Sequence, residues 1–218
     1  MGGRKREIIF CNKMGIMIER YFILPKDFGF TKFLKTFESK APKNYIYTSE
    51  INYIIDYLYN WIYDVHFKGI WIAGGTGTGK TTLMKIFFEV IKELNIEFCF
   101  GEDNNEVHYK LYPKMTSEKE INNYFAKCGE IPQRRSLFID DVGNDCKKVN
   151  YFGNDSLVIS DIIYNRYDKL ETKQYLFITS NYPLNHPIIK EMYGERTQSR
   201  LLAMCEYLEL KKTNFRNM

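Results

Sequence analysis

Gly74-Gly75-Thr76-Gly77-Thr78-Gly79-Lys80-Thr81 follows the spacing G-x-x-x-x-G-K-[ST]. Those residue types suit one task, the cradling of a chain of phosphates. Glycines let the backbone curl until successive N–H groups face one anion, and a helix starting there adds the partial positive charge of its first turn. Lys80 can then reach the outer phosphates, and the Thr81 hydroxyl can ligate Mg²⁺. The pattern predicts nucleoside-triphosphate contacts from Gly75, Thr76, Gly77, Thr78, Gly79, Lys80, Thr81 and Thr82.

A Gly/Thr-rich turn with a stray lysine would share some of these letters, so the flanks matter. Gly69-Ile70-Trp71-Ile72-Ala73 is a short apolar run of strand character, and Thr82 to Ile91 carries apolar residues at helical spacing. The loop therefore sits between a buried strand and a helix start, where phosphate binding requires it.

Further chemistry lies at the ends of two later apolar runs. Leu137-Phe138-Ile139 leads into Asp140-Asp141, sixty residues after Lys80. At that place Asp140 is expected to hold Mg²⁺ and Asp141 to orient and polarise an attacking water. Thr179-Ser180-Asn181 ends the next such run; the Asn181 amide either meets the γ-phosphate or its water, or is an ordinary turn residue. Arg196 and Arg200 stand four apart in Glu195-Arg196-Thr197-Gln198-Ser199-Arg200, on one face of a helix. Such a pair is either a solvated face or a source of guanidinium charge for phosphoryl transfer, acting on a neighbouring subunit. Arg216 near the end has no evident role from spacing alone.

The elements that must position these groups alternate. Ile96–Phe100 reads as a second strand after the loop helix, Leu137–Asp140 as a third, Tyr175–Thr179 as a fourth and the stretch near Tyr207–Leu210 as a fifth. A helical pattern runs from Ser156 to Leu170, and others over Ile51–Tyr63 and Thr31–Glu38. Strands separated by helices imply a parallel α/β sheet whose ligands bind at the carboxyl ends of the strands. Residues 101–116 and 142–155 read as loops.

The 218 residues suit one medium domain with an appendage, and no apolar run approaches the ~18 residues of a membrane span. Five scattered cysteines without a C-x-x-C pair argue against a disulfide framework or zinc site and fit a reducing cytoplasm. His66, His108 and His186 have no metal-ligand spacing. Of the 31 Lys and Arg, ten fall in residues 1–43 against four Asp and Glu, so the net charge of +4 is concentrated there. That basic segment either meets nucleic acid or an acidic partner, or is a solvated tail.

From about residue 50 onward the chain resembles the DnaC/IstB group of AAA+ ATPases, replicative-helicase loaders and transposition helpers. The matching pieces are residues 75–82 (Gly-Thr-Gly-Thr-Gly-Lys-Thr-Thr), 138–143 (Phe-Ile-Asp-Asp-Val-Gly), 162–167 (Ile-Ile-Tyr-Asn-Arg-Tyr), 179–183 (Thr-Ser-Asn-Tyr-Pro), 194–201 (Gly-Glu-Arg-Thr-Gln-Ser-Arg-Leu) and 213–216 (Thr-Asn-Phe-Arg). The resemblance implies a P-loop NTPase of AAA+ type, with a five-stranded parallel sheet flanked by helices and no separate helical lid. It implies a basic partner-binding segment over 1–45 and an ATPase domain over 46–218. Asn181 would be the sensor-1 amide, Arg200 the arginine finger, Arg196 its companion at the subunit interface, and Arg216 the sensor-2 arginine. ATP and Mg²⁺ are the implied cofactors. The implied partners are single-stranded DNA, a replicative helicase or a transposase, and further copies of the chain joined through ATP-bridged interfaces; no membrane is implied.

Asp141 stands where many AAA+ ATPases have Glu, which implies slow turnover. Two other classes compete: a small-molecule kinase, in which Asn181 and Arg216 would have no role, and a non-hydrolysing nucleotide-gated adaptor.

Overall fold

A computed structural model describes residues 3–11, 17–63, 68–102, 105–110, 113–132, 136–168 and 175–211. In chain order these form β1 (Gly3–Cys11), β2 (Met17–Leu24), α1 (Phe30–Lys40), α2 (Ser49–Tyr63), β3 (Gly69–Gly74), α3 (Lys80–Glu93), β4 (Glu97–Glu102), β5 (Asn105–Lys110) and β6 (Met115–Ser117). Then come α4 (Glu118–Cys128), β7 (Ser136–Val142), β8 (Val149–Tyr151), β9 (Asn154–Ser156), α5 (Val158–Asp168), β10 (Tyr175–Ser180), α6 (Pro187–Tyr193), α7 (Glu195–Met204) and β11 (Cys205–Leu210). Two compact units divide the chain: Met1–His66 with Thr82–Tyr112, and Phe67–Thr81 with Pro113–Met218.

The first unit is built on an antiparallel sheet in the order β1-β2-β4-β5. Aromatic side chains fill its interior. Phe22 of β2 lies 5.6 Å from Trp61 of α2 and 5.1 Å from Phe98 of β4, ring centre to ring centre. Phe87 of α3 meets Trp61 and Phe33 of α1 edge-on, the tilted geometry that aromatic quadrupoles favour. The helices expected over 31–38 and 51–63 are present as α1 and α2. The apolar face of α2 is buried through Ile51, Ile54, Ile55, Leu58, Trp61 and Ile62.

Here one expectation fails. The Ile96–Phe100 run is indeed a strand, β4, but it joins this antiparallel sheet and not the parallel one. The second parallel strand is instead β6, three residues long, within a stretch that reads as loop.

The second unit holds five parallel strands in the order β11-β3-β10-β7-β6. Numbered along the chain, that order is 5-1-4-3-2. Both β3 and β10 are buried at every residue, so Ile70-Trp71-Ile72-Ala73 and Tyr175-Leu176-Phe177-Ile178 read as unbroken apolar runs, the mark of strands covered on both faces. Leu137, Ile139, Leu176 and Ile178 share one core with Ile159, Ile162 and Ile163 of α5 and Leu201 of α7. Each such buried side chain contributes about 1.5–3 kcal/mol. Residues 142–155, read as loop, carry the small hairpin of β8 and β9.

The order of strands does the positioning. Because β10 lies between β3 and β7, its end stands beside both the phosphate loop and the Asp140-Asp141 pair. Pairing of β7 with β10 then slips: Ile139 faces Ile178, yet Val142 faces Ser180. Two residues, Asp140 and Asp141, thus oppose Thr179 alone, a β-bulge that bends the strand and re-aims its side chains. Among the described residues no helix is long and apolar enough to cross a membrane.

Candidate nucleotide-binding site

Between β3 and α3 the chain turns through Gly77 (φ 82°) and Gly79 (φ 85°), left-handed positions that glycine adopts without steric cost. Thr78 ties the turn from within: its N–H and its hydroxyl both donate to the Gly75 carbonyl, at 3.3 and 2.9 Å. Gly75 and Thr76 are exposed at the rim, Gly77 and Gly79 half-buried, and Thr81 and Thr82 half-buried in the first helical turn. Lys80, the first residue of α3, is only 5% exposed. Its ammonium donates to the carbonyls of Gly74 (2.7 Å) and Gly75 (3.0 Å) and to Asn181 Oδ1 (3.1 Å).

Beside the lysine, the Thr81 hydroxyl donates to Asp140 Oδ1 at 2.7 Å. Residues from β3–α3, β7 and β10, distant in sequence, therefore converge at the carboxyl edge of the sheet. Asp141 follows in a left-handed conformation (φ 57°) at the bulge. A hydroxyl beside a carboxylate offers hard oxygen ligands of the kind Mg²⁺ takes, with water completing its shell. Thr81 and Asp140 would hold that ion, and the loop N–H groups with Lys80 would hold the phosphates.

Sequence reasoning missed several residues that shape this site. Thr179 is fully buried; its hydroxyl donates to Asp140 Oδ1 at 2.5 Å and accepts from the Asp141 N–H at 3.0 Å. Asn144, exposed in the loop after β7, accepts at Oδ1 from the Asn181 amide at 3.2 Å. Glu118, buried at the start of α4, clamps that loop: one carboxylate oxygen accepts from the N–H groups of Gly143 (2.9 Å) and Asp145 (3.2 Å). The other accepts from the Tyr193 hydroxyl at 2.6 Å. Burial, and then the Glu118 carboxylate, push the Tyr193 hydroxyl far above the ordinary phenol range. Burial likewise raises the Cys146 thiol to about 11. Thr179 did stand in the quoted 179–183 motif, but only the order of strands reveals what its hydroxyl meets.

Arg196 and Arg200 sit on α7, one turn apart, and both reach toward α5. Arg200 lies over the rings of Tyr164 (4.5 Å) and Tyr167 (4.7 Å) and pairs with Asp168 at 3.3 Å. Arg196 is exposed, 5.5 Å from the Tyr164 ring centre. Arg166, part of the quoted 162–167 motif, is buried and donates to the Tyr175 carbonyl at 3.3 Å, which ties α5 to β10. Arg216 lies outside the described residues. Among the described residues there is no group of three or more His, Cys, Asp or Glu side chains able to hold a metal ion.

A five-stranded parallel sheet of order 5-1-4-3-2, with a glycine-rich loop on strand 1 and a carboxylate pair on strand 3, is the P-loop fold of AAA+ type. Solved structures agree on that fold. AMPPCP-bound DnaA from Aquifex aeolicus matches with a TM-score of 0.52 and 16% identity over 81% of this chain and 51% of that one. Replication initiator DnaA bound to AMPPCP and single-stranded DNA matches with a TM-score of 0.53 and 16% identity, again over 81% and 51%. Domain III of the Thermotoga maritima replication initiation protein DnaA matches with a TM-score of 0.52 and 15% identity over 79% and 67%. This chain thus spans about half the length of the first two structures, and at such identities the likeness concerns the fold. No family model and no curated protein matches the sequence.

Proposed function

We propose that this protein binds ATP with Mg²⁺, hydrolyses it slowly, and acts as a DnaC-like loader that assembles on ATP and delivers or remodels a replicative helicase on single-stranded DNA. The observation that carries the ATPase reading is the convergence of Lys80, Thr81, Asp140 and Asn181 within direct hydrogen-bond distance. Bound Mg²⁺ would neutralise phosphate charge as the terminal phosphoryl group departs. The protein's own share is positional. The loop N–H groups and Lys80 bind and orient the phosphates, Asp141 polarises the attacking water, and Asn181 senses the γ-phosphate through its amide.

Arg200, with Arg196 beside it, supplies charge to a neighbouring subunit's nucleotide, and Arg216 to its own. The loader role rests on the 179–183, 194–201 and 213–216 motifs and their resemblance to DnaC/IstB proteins. The basic residues of segment 1–45 are the proposed partner contact, in the cytoplasm. A transposase in place of the helicase is the neighbouring reading, since the same motifs serve both.

Steady-state ATP hydrolysis across a range of protein concentrations, with and without single-stranded DNA, tests this. Specific activity should rise with concentration and change with DNA. A rate independent of both would contradict an assembling, DNA-coupled ATPase.

A further inference from the structure

We infer that Thr179 is the positioning residue for the metal-holding carboxylate, acting through Asp140 and through the backbone of Asp141. This rests on the Mg²⁺-nucleotide reading above and deepens it.

The direction of the hydrogen bonds is forced. An N–H can only donate, so the Asp141 N–H must be accepted by the Thr179 oxygen at 3.0 Å. A hydroxyl has one proton, and that of Thr179 is therefore committed to the Asp140 carboxylate at 2.5 Å. Thr81 sends its own proton to the same oxygen, Asp140 Oδ1, at 2.7 Å. Two hydroxyl groups from different elements thus fix one carboxylate oxygen, and one of them also pins the bulge that carries Asp141.

The bulge explains why a threonine stands there. Two residues of β7 face Thr179 alone, so the regular register of the strand pair breaks where Asp141 stands. A side-chain oxygen at position 179 supplies the acceptor. Thr179 is fully buried, which shields both bonds from water and raises their worth. Its β-branched shape suits the strand. Partners that orient a metal's ligands typically change metal affinity about 10–100-fold when removed.

Thr179→Val keeps the shape and removes the hydroxyl, taking one donor from Asp140 and one acceptor from the Asp141 N–H. The measurement is the affinity of a fluorescent ATP analogue as Mg²⁺ is titrated, with an EDTA baseline. In T179V the Mg²⁺ midpoint should rise about 10–100-fold, while metal-free affinity stays near wild type. Thr179→Ser should restore the midpoint. A merely structural hydroxyl predicts lower stability with an unmoved midpoint, and that result would overturn the inference. Should T179V not fold, Thr179→Ala against Thr179→Ser makes the same comparison with the same two outcomes. Wild-type protein whose nucleotide binding ignores Mg²⁺ would overturn the underlying reading as well, so the two failures are distinguishable.

Discussion

The Lys80 ammonium donates to the side-chain oxygen of Asn181 at 3.1 Å, joining the phosphate loop to the end of a strand 101 residues further on. The same amide donates through its nitrogen to Asn144 at 3.2 Å. Asn181 thus links Lys80 to the loop that follows the carboxylate pair. Replacing it with Ala leaves Lys80 its contacts to the Gly74 and Gly75 carbonyls. Nucleotide affinity should stay within about threefold while kcat falls about 10²-fold, the usual consequence of losing one polar group aimed at the reacting centre. Equal kcat in N181A and wild type would remove the residue from the chemistry.

Asp141 adopts φ 57°, a region that costs most residues roughly 1–2 kcal/mol but is tolerated better by Asp and Asn. The bulge thus gives a reason for Asp where a longer carboxylate is usual in the resembled proteins. Asp141→Glu should lower the urea midpoint by an amount equal to about 1 kcal/mol. Asp141→Asn should keep the midpoint and lose about 10²-fold or more in hydrolysis, the worth of a general base. A fully active D141N would contradict the role assigned to this carboxylate.

Arg200 is 11% exposed along its side chain and held by two tyrosine rings and Asp168. Arg200→Lys keeps the charge but loses the planar stack and the two-pronged donor. In a concentration series it should bind ATP normally and fail to gain specific activity on assembly. Wild-type hydrolysis at every concentration would contradict action on a neighbour. Asp168→Asn should shift stability by no more than about 0.5 kcal/mol, because its carboxylate is largely exposed.

Burial pushes the Cys205 thiol up to about 12. The sign follows from proton counting: the unfolded chain, with a thiol pKa near ~9, releases its proton first. Cys205 therefore contributes stability that is fully present below pH ~9 and declines as pH rises toward 12. Urea midpoints at pH 8 and pH 10.5 should show the fall, and Cys205→Ala should make it shallower. An equally steep decline in C205A would contradict the assignment.

Much of the second unit was legible because its strands are fully buried and its chemistry sits at their ends. The runs before Gly74, Asp140 and Asn181 carry both signals at once. β6 was not legible: Met115-Thr116-Ser117 has neither length nor apolar character, and its strand identity comes from pairing with β7. Conversely, Phe98 and its neighbours have strand character that says nothing about which sheet they join. Glu118 reads as an ordinary first-turn acid, with no local signal that it would be buried against two backbone N–H groups and a tyrosine. Thr179 needed the strand order, since its hydroxyl acts across β10 toward β7.

The most direct test of the central claim is calorimetric titration of ATP and Mg²⁺ into the wild-type protein and into Lys80→Ala. One nucleotide per chain is expected for the wild type. K80A should bind about 10²-fold more weakly, the loss of a charge-assisted contact of ~3 kcal/mol. Equal affinity in the two proteins, or no binding by either, would contradict the assignment of this loop as the nucleotide site.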